Sequence, residues 1–378
     1  MDGKKRPPPP AQAPTPAPAS GRGVSEGRPV PFGSSPNSDS PLPFRRGRGW
    51  GWGPLLLLLL LSLFLAPGFG QVPLSPSEVW AALRHGPGDH LGNPGIVWDL
   101  RLPRILLAAL VGASLAAAGV AFQALLRNEL ADPYLVGVSA GASVGAEATL
   151  LGHGEAALGG LGLPLASFGS AAAAMTVVYT LARRGGRVQV TSLLLAGVVI
   201  SAFLGGVSSL LLQLARPNEA QYLLYRLNGS LQDATFQQCA VTLGFLVVGL
   251  LVLSVEARAM NLFALGEESA RQLGVETERF KTVLIVTGSL LTAATVAFAG
   301  IIGFVGLMSP HIARRLARTP DHRLVLPLAS LVGAVLMVWA DTMARSVLPD
   351  GRELPVGIVT AFLGGPFFCY LLRRQARG

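Results

Sequence analysis

Charge is what this sequence has least of. Asp, Glu, Lys and Arg make up 13% of its 378 residues, against 51% hydrophobic residues; soluble domains carry about 25% charged residues. There are three lysines, Lys4, Lys5 and Lys281, and none lies in a GxxxxGK(S/T) pattern. A backbone cradle for a triphosphate is therefore missing, and the chain is not expected to hydrolyse ATP itself. The two cysteines, Cys239 and Cys369, sit in apolar surroundings and provide neither a disulfide framework nor a CxxC pair. The five histidines form no HExxH or clustered ligand set. His85 and His90 of "HGPGDH" could meet on a metal, but without supporting ligands the segment reads as a solvated loop. No Ser-His-Asp or Cys-His arrangement stands out, so an enzyme is disfavoured and no cofactor or metal is expected. The formal charge of +9 is no nucleic-acid footprint: residues 1–50 hold eight Lys/Arg against three Asp/Glu, and the remainder 22 against 18.

What the chain does have is repeated apolar runs, and these predict an all-α polytopic membrane protein. Residues 1–48, rich in Pro, Gly, Ala and Ser, cannot bury a core and read as a disordered cytoplasmic leader. The span domain is 49–378. Its first run carries a leucine core, Leu55–Leu65. With the basic leader it also resembles a signal peptide, with "APGFGQ" as a weak cleavage site; the leader's length and Trp50 and Trp52 favour a retained anchor. Further spans are expected near 103–124, 134–152, 162–182, 192–214, 238–257, 282–300, 301–317, 324–344 and 354–372, ten transmembrane helices in all. With both termini cytoplasmic, fifteen basic residues fall in inside loops and seven outside, as the positive-inside rule requires.

Several local patterns stand out. Gly137, Gly141 and Gly145 form a small-residue stripe that lets another helix approach, read as packing inside one subunit. Gly300, Gly303, Gly306 and Pro310 loosen a helix at membrane depth, which is tolerable where neighbours satisfy the freed backbone groups. Asp341 and Arg345 are four apart and predict a local pair, whereas Glu147 has no obvious partner and supports an alternative reading as a proton-coupled carrier. "LGEESARQLGVETERFK" (265–281) is a charged island between two apolar runs. Gly266 can cap a two-turn helix with Glu267 and Glu268 in its first turn, Arg271 near its last, and Gly274 just beyond its end. Thr277-Glu278 reads as the cap of the next helix. A connecting loop needs no such punctuation; a partner could grip a helix of this kind.

"LGEESARQLG" resembles the coupling-helix motif of the ABC-importer permeases for iron–siderophore, haem and cobalamin. "VWDLRLPRILLAALVGASLAAAGVAFQALLRNELADPYLVGVSAGASVGA" (97–146) resembles that family's first signature, and "LLLAGVVISAF" (193–203), "AGIIGFVGLMSPHIARRL" (299–316), "DHRLVLPLASLVGA" (321–334) and "ELPVGIVTAFLGGPFFCYLLRR" (353–374) resemble later ones, in order. The resemblance implies ten spans, a second permease subunit forming a homodimer, a cytoplasmic ABC ATPase dimer and an extracytoplasmic substrate-binding protein, in the plasma or inner membrane. It also implies roles. Gly266, Glu267, Glu268, Ala270, Arg271, Leu273 and Gly274, between spans six and seven, would couple to the ATPase. Thr191 and Ser192 would form the cytoplasmic gate, with 192–214 lining the pathway and 222–236 its outer mouth. Arg101, Arg104 and Arg345 would dock the binding protein. The expected cargo is an iron chelate, a siderophore first, with haem and cobalamin as alternatives.

Overall fold

The computed structural model describes residues 52–86, 92–154, 162–348 and 352–375. The leader 1–48, Trp50 and His90 lie outside the described residues. The chain opens with α1 (Trp52–Leu65), the leucine run, followed by α2 (Pro76–His85). Ser75 and Glu78 close a reciprocal capping box at the start of α2, with Pro76 at its first position. A π-helical stretch, Ile96–Arg101, leads into α3 (Leu102–Leu126).

The bundle is built around α3, which is buried over most of its length and packs against α12 (His322–Ala344), α10 (Thr277–Ala299), α8 (Phe236–Phe263) and α11 (Val305–Ala317). Its composition explains this position. Small residues let backbones meet: a Cβ on Gly112 would lie 2.1 Å from the Gly333 carbonyl oxygen, and one on Gly119 would lie 1.9 Å from that of Gly306. A second close pair joins α4 (Val138–Leu151) to α5 (Gly162–Ala182). A Cβ on Gly145 would meet the Ala166 carbonyl oxygen at 2.4 Å, so the glycine stripe is spent on packing within the chain.

Among the described residues seven helices are long and apolar enough to cross a membrane. Helices α1, α4 and α11 coincide with three of the expected spans but have 14, 14 and 13 residues. At 1.5 Å per residue that is about 21 Å, short of a hydrocarbon core of about 30 Å. The loosened segment is broken as its glycines suggest. After Ala299 the chain leaves the helix at Gly300 (φ +70°) and resumes at Val305. Neighbours take up the freed groups: Ser230 N–H donates to Ala299 O at 2.8 Å, and Ile302 N–H donates to the Tyr134 hydroxyl at 3.0 Å.

The all-α architecture is interrupted by one short hairpin. Helix α5 runs into a hairpin, β1 (Arg183–Arg184) and β2 (Arg187–Val188), antiparallel, with Gly185 and Gly186 both at positive φ as a tight primed turn requires. Directly after it comes α6 (Val190–Leu214), then α7 (Pro217–Leu227). Only Leu193 and Gly197 of α6 are buried, and Leu195, Val198, Val199 and Phe203 are exposed. Helix α9 (Glu267–Gln272) sits between α8 and α10, and α13 (Val356–Gln375) closes the chain.

Candidate functional site

The charged island folds into α9, with capping at both ends. Gly266 occupies the N-cap at φ +118°, a backbone conformation that disfavours a side chain, and its carbonyl accepts the Ala270 N–H at 2.9 Å. At the other end Gly274 sits at φ +88°. Its N–H donates to Arg271 O at 3.0 Å, and Val275 N–H donates to Ala270 O at 2.9 Å, the paired bonds of a Schellman stop. Ala270 is fully buried, while Glu268 and Leu273 face outward. Arg271 spans the helix, 3.1 Å from Glu268 and 3.6 Å from Glu267. The next helix begins at Thr277 with Glu276 as its cap, one residue earlier than the sequence suggests.

Beneath α9 lies a contact that the sequence reading did not identify. Lys281, fully buried, places its ammonium 2.9 Å from Glu267 Oε1, 2.7 Å from Glu278 Oε1 and 2.8 Å from the Val188 carbonyl oxygen. Glu278 Oε2 in turn accepts the Val188 N–H at 2.9 Å. Thr191 and Ser192 follow Val188 closely. They occupy the first turn of α6, not the turn before it, because the helix already starts at Val190. Thr191 is exposed, and the Ser192 hydroxyl donates to Gln189 Oε1 at 3.2 Å. The structure thus brings the expected coupling helix and the expected gate to the same end of the bundle.

At the opposite end Arg101, Arg104 and Arg345 do come together, but their guanidinium groups are turned inward. All three are under a tenth exposed. Arg104 Nε donates to both Asp341 oxygens, at 2.9 and 3.1 Å, and its Nη1 donates to Glu353 at 2.7 Å. Arg345 is 3.6 Å from Asp341 and donates to Ala66 O at 2.8 Å. Arg101 donates to the carbonyls of Pro67 and Val72. Buried guanidinium groups need such partners because an uncompensated charge is costly out of water. Burial pushes Arg345 down to about 10, with Asp341 opposing, so it remains a cation at neutral pH. Asp341 therefore pairs with Arg104 more closely than with its helical neighbour.

Glu147, on α4, does have a partner. The Ser208 hydroxyl of α6 donates to its Oε1 at 2.9 Å. Its Oε2 is buried and finds no hydrogen-bond donor among the described residues. Arg226, which lines the same small cavity, is committed to Ala297 O at 2.8 Å. No group of His, Cys, Asp or Glu among the described residues is placed to hold a metal.

Spanning helices packed through glycines, with ion pairs gathered near the two ends, define a multi-pass membrane protein. The chain belongs to the FecCD transport family, whose model matches residues 56–374. That makes it a permease subunit of the type II ABC-importer class. It is 41% identical over 325 residues to the "uncharacterized ABC transporter permease protein YvrB" of Bacillus subtilis, covering 84% of this chain and 91% of the relative. It is 45% identical over 283 residues to the cobalamin import system permease BtuC of Halobacterium salinarum, covering 75% of this chain and 74% of the relative. A solved structure described as a metal-chelate type ABC transporter in an inward-facing conformation aligns with a TM-score of 0.75 at 28% identity, over 85% of this chain and 98% of that one.

Proposed function

We propose that this permease carries a metal chelate or a corrinoid across the membrane, with energy supplied by separate ATPase subunits. The observation that carries this reading is α9: a six-residue helix with capping at both ends, held from beneath by Lys281 and presenting Glu268 and Leu273 outward. A mere connector between spans has no use for that construction. The ATPase dimer grips α9 at the cytoplasmic end, and both termini lie on that side. Two copies of the chain face each other across the pathway, lined by the exposed apolar side of α6, with lipid around the remainder. The ten-span count includes the short helices α1, α4 and α11, which are lengthened by 3-10 turns at 66–68 and 133–136 and by the irregular segment 300–304.

An extracytoplasmic binding protein engages the opposite end. The buried arginines support that role by fixing the loops around them, since their guanidinium groups are taken up internally. A 45% identical relative is named for cobalamin and an aligned structure is titled metal-chelate type; within that range the family resemblance puts iron chelates, siderophores first, ahead of cobalamin. The proton-coupled alternative is weaker, because the chain belongs to a family of ABC-importer permeases.

Proteoliposomes holding the permease, its ATPase and its binding protein test this directly. Uptake of cobalamin or of an iron-loaded hydroxamate siderophore should require ATP, survive a proton uncoupler, and persist in Glu147→Gln. Uptake driven by a pH gradient without nucleotide would refute the reading.

A further inference from the structure

Lys281 is the only lysine beyond the leader, and it is almost wholly buried. An ammonium offers three donors in a tetrahedral head. Here three oxygens surround it on three separate elements: it donates to Glu267 on α9 and to the Val188 carbonyl on β2, and it forms an ion pair with Glu278 on α10. Glu278 uses its second oxygen to accept the Val188 N–H. Both backbone polar groups of one hairpin residue are therefore held by side chains of α10. A planar guanidinium could keep the charge but not the same three directions.

The hairpin is closely tied to the start of α6. Gln189 N–H donates to Ala182 O at 3.2 Å, and Leu193 N–H donates to Gln189 O at 2.9 Å. Val188 and Leu193 are both buried, so the first turn of α6 is fixed to the hairpin on the side away from solvent. Beyond that turn Gly197 is the one other fully buried residue of α6, and its contacts with α4, α5 and the 133–136 turn are made by half-buried side chains. A displacement of the hairpin would reach Thr191 and Ser192 first.

We propose that Lys281 is the positioning residue that transmits movement of α9 through Val188 to the start of α6, and so to Thr191 and Ser192. The proposal rests on the ATP-driven importer reading and deepens it by naming the mechanical link. The path runs from Glu267 through the ammonium to the Val188 carbonyl, with Glu278 keeping the hairpin in register.

The test compares wild type with Lys281→Met, with Lys281→Arg, and with Lys281→Met combined with Glu267→Gln and Glu278→Gln. The last variant leaves no unpaired carboxylate and protects against simple misfolding. Each is assembled with the ATPase and binding protein in proteoliposomes. Two quantities are read: ATP hydrolysed per cobalamin or iron-loaded hydroxamate siderophore imported, whichever wild type carries, and deuterium exchange at the Val188 amide.

Lys281→Met should hydrolyse ATP near the wild-type rate, and both Met variants should import about tenfold less per ATP, the size of one lost hydrogen-bonded link to a charged group. Exchange at Val188 should accelerate, and Lys281→Arg should recover part of the coupling. An unchanged ratio of ATP to cargo in the triple variant overturns the proposal, whatever the exchange shows. A parallel fall of hydrolysis, import and assembly in every variant also overturns it, since that marks a residue that only holds the fold. Failure of wild type to import in an ATP-dependent way would be a different result, refuting the importer reading itself.

Discussion

Replacing Ala270 with proline attacks α9 at the point where its helix begins to sustain itself. Ala270 is the fourth residue of the helix, and its N–H makes the first internal bond, to Gly266 O at 2.9 Å. Proline removes that donor and drives its ring against the same carbonyl, at a cost of about 3 kcal/mol. That is about two powers of ten in the ratio of closed to open α9. A six-residue helix has little to set against it, because isolated helices this short are marginal and depend on their caps and packing. Ala270→Gly keeps the N–H and costs about 1 kcal/mol, under tenfold. Retention of the ATPase by purified permease, and ATP-driven uptake in proteoliposomes, should therefore fall in the order alanine, glycine, proline. The amount of permease in the membrane should stay constant, since α9 lies outside the spanning helices. Wild-type uptake by Ala270→Pro, or equal losses for glycine and proline, would refute the role given to α9.

Three further outcomes are expected from the packing and the ion pairs. Gly119→Ala places a methyl where only 1.9 Å separates it from Gly306 O, so overpacking should destabilise the bundle by about 1–3 kcal/mol, read as a lower melting temperature in detergent. Arg104→Ala leaves Asp341 and Glu353 without their closest cation and should cost about 3–5 kcal/mol, read as a lower thermal-unfolding midpoint in detergent. At Asp321, burial raises the carboxyl, but bonds from the Arg323 N–H and the Asn261 amide and the charge of Arg323 outweigh it and hold the group below its usual value. Its contribution should be complete above pH about 4 and vanish as pH falls through the depressed value, while Asp321→Ala loses about 1 kcal/mol of cap and flattens that acid limb of the melting curve.

How much of the fold and the site was legible in the sequence depends on how far apart the partners lie. Helix α9 was readable almost to the residue, because Gly266, the paired glutamates, Arg271 and Gly274 are all local signals. The spanning runs were readable from apolar length, and the glycine stripe from its spacing. Length was also where the reading outran the structure, since α1, α4 and α11 are apolar but only 14, 14 and 13 residues long. The hairpin carried a signal in Gly185-Gly186, but two-residue strands made of arginine and valine lack any alternation to confirm it. Arg101, Arg104 and Arg345 were found, yet their burial was not. Arg104 meets Asp341 across 237 positions of chain, and Lys281 meets Val188 across 93, distances at which no periodicity reaches. Ser208, the partner of Glu147, is 61 residues away and looks like any other helical serine.

The two ends of the bundle use the same chemistry to opposite effect. At the Arg104 end, the guanidinium holds an acid on α12 and an acid just before α13, while Arg345 and Arg101 hold the turn after α1. Arg104 and Asp341 lie on α3 and α12, both largely buried, so this pair stiffens what is stiff. At the Lys281 end, the ammonium joins α10 to two small elements, α9 and the hairpin, neither of which has a core of its own. Its removal frees them, and its presence makes them move together. Helix α6 is the element best suited to respond. It touches the bundle through Leu193 in its first turn, through Gly197, where a Cβ would come within 2.3 Å of Leu135 O, and through Ser208 on Glu147. It also meets α4, α5 and the 133–136 turn through half-buried side chains such as Ala196 and Ile200, while Leu195, Val198, Val199 and Phe203 face its surroundings. A helix fastened at its start to the hairpin and packed this shallowly can tilt more readily than one buried along its length. The deeply packed α3 cannot, since its glycine contacts with α11 and α12 leave no space for displacement.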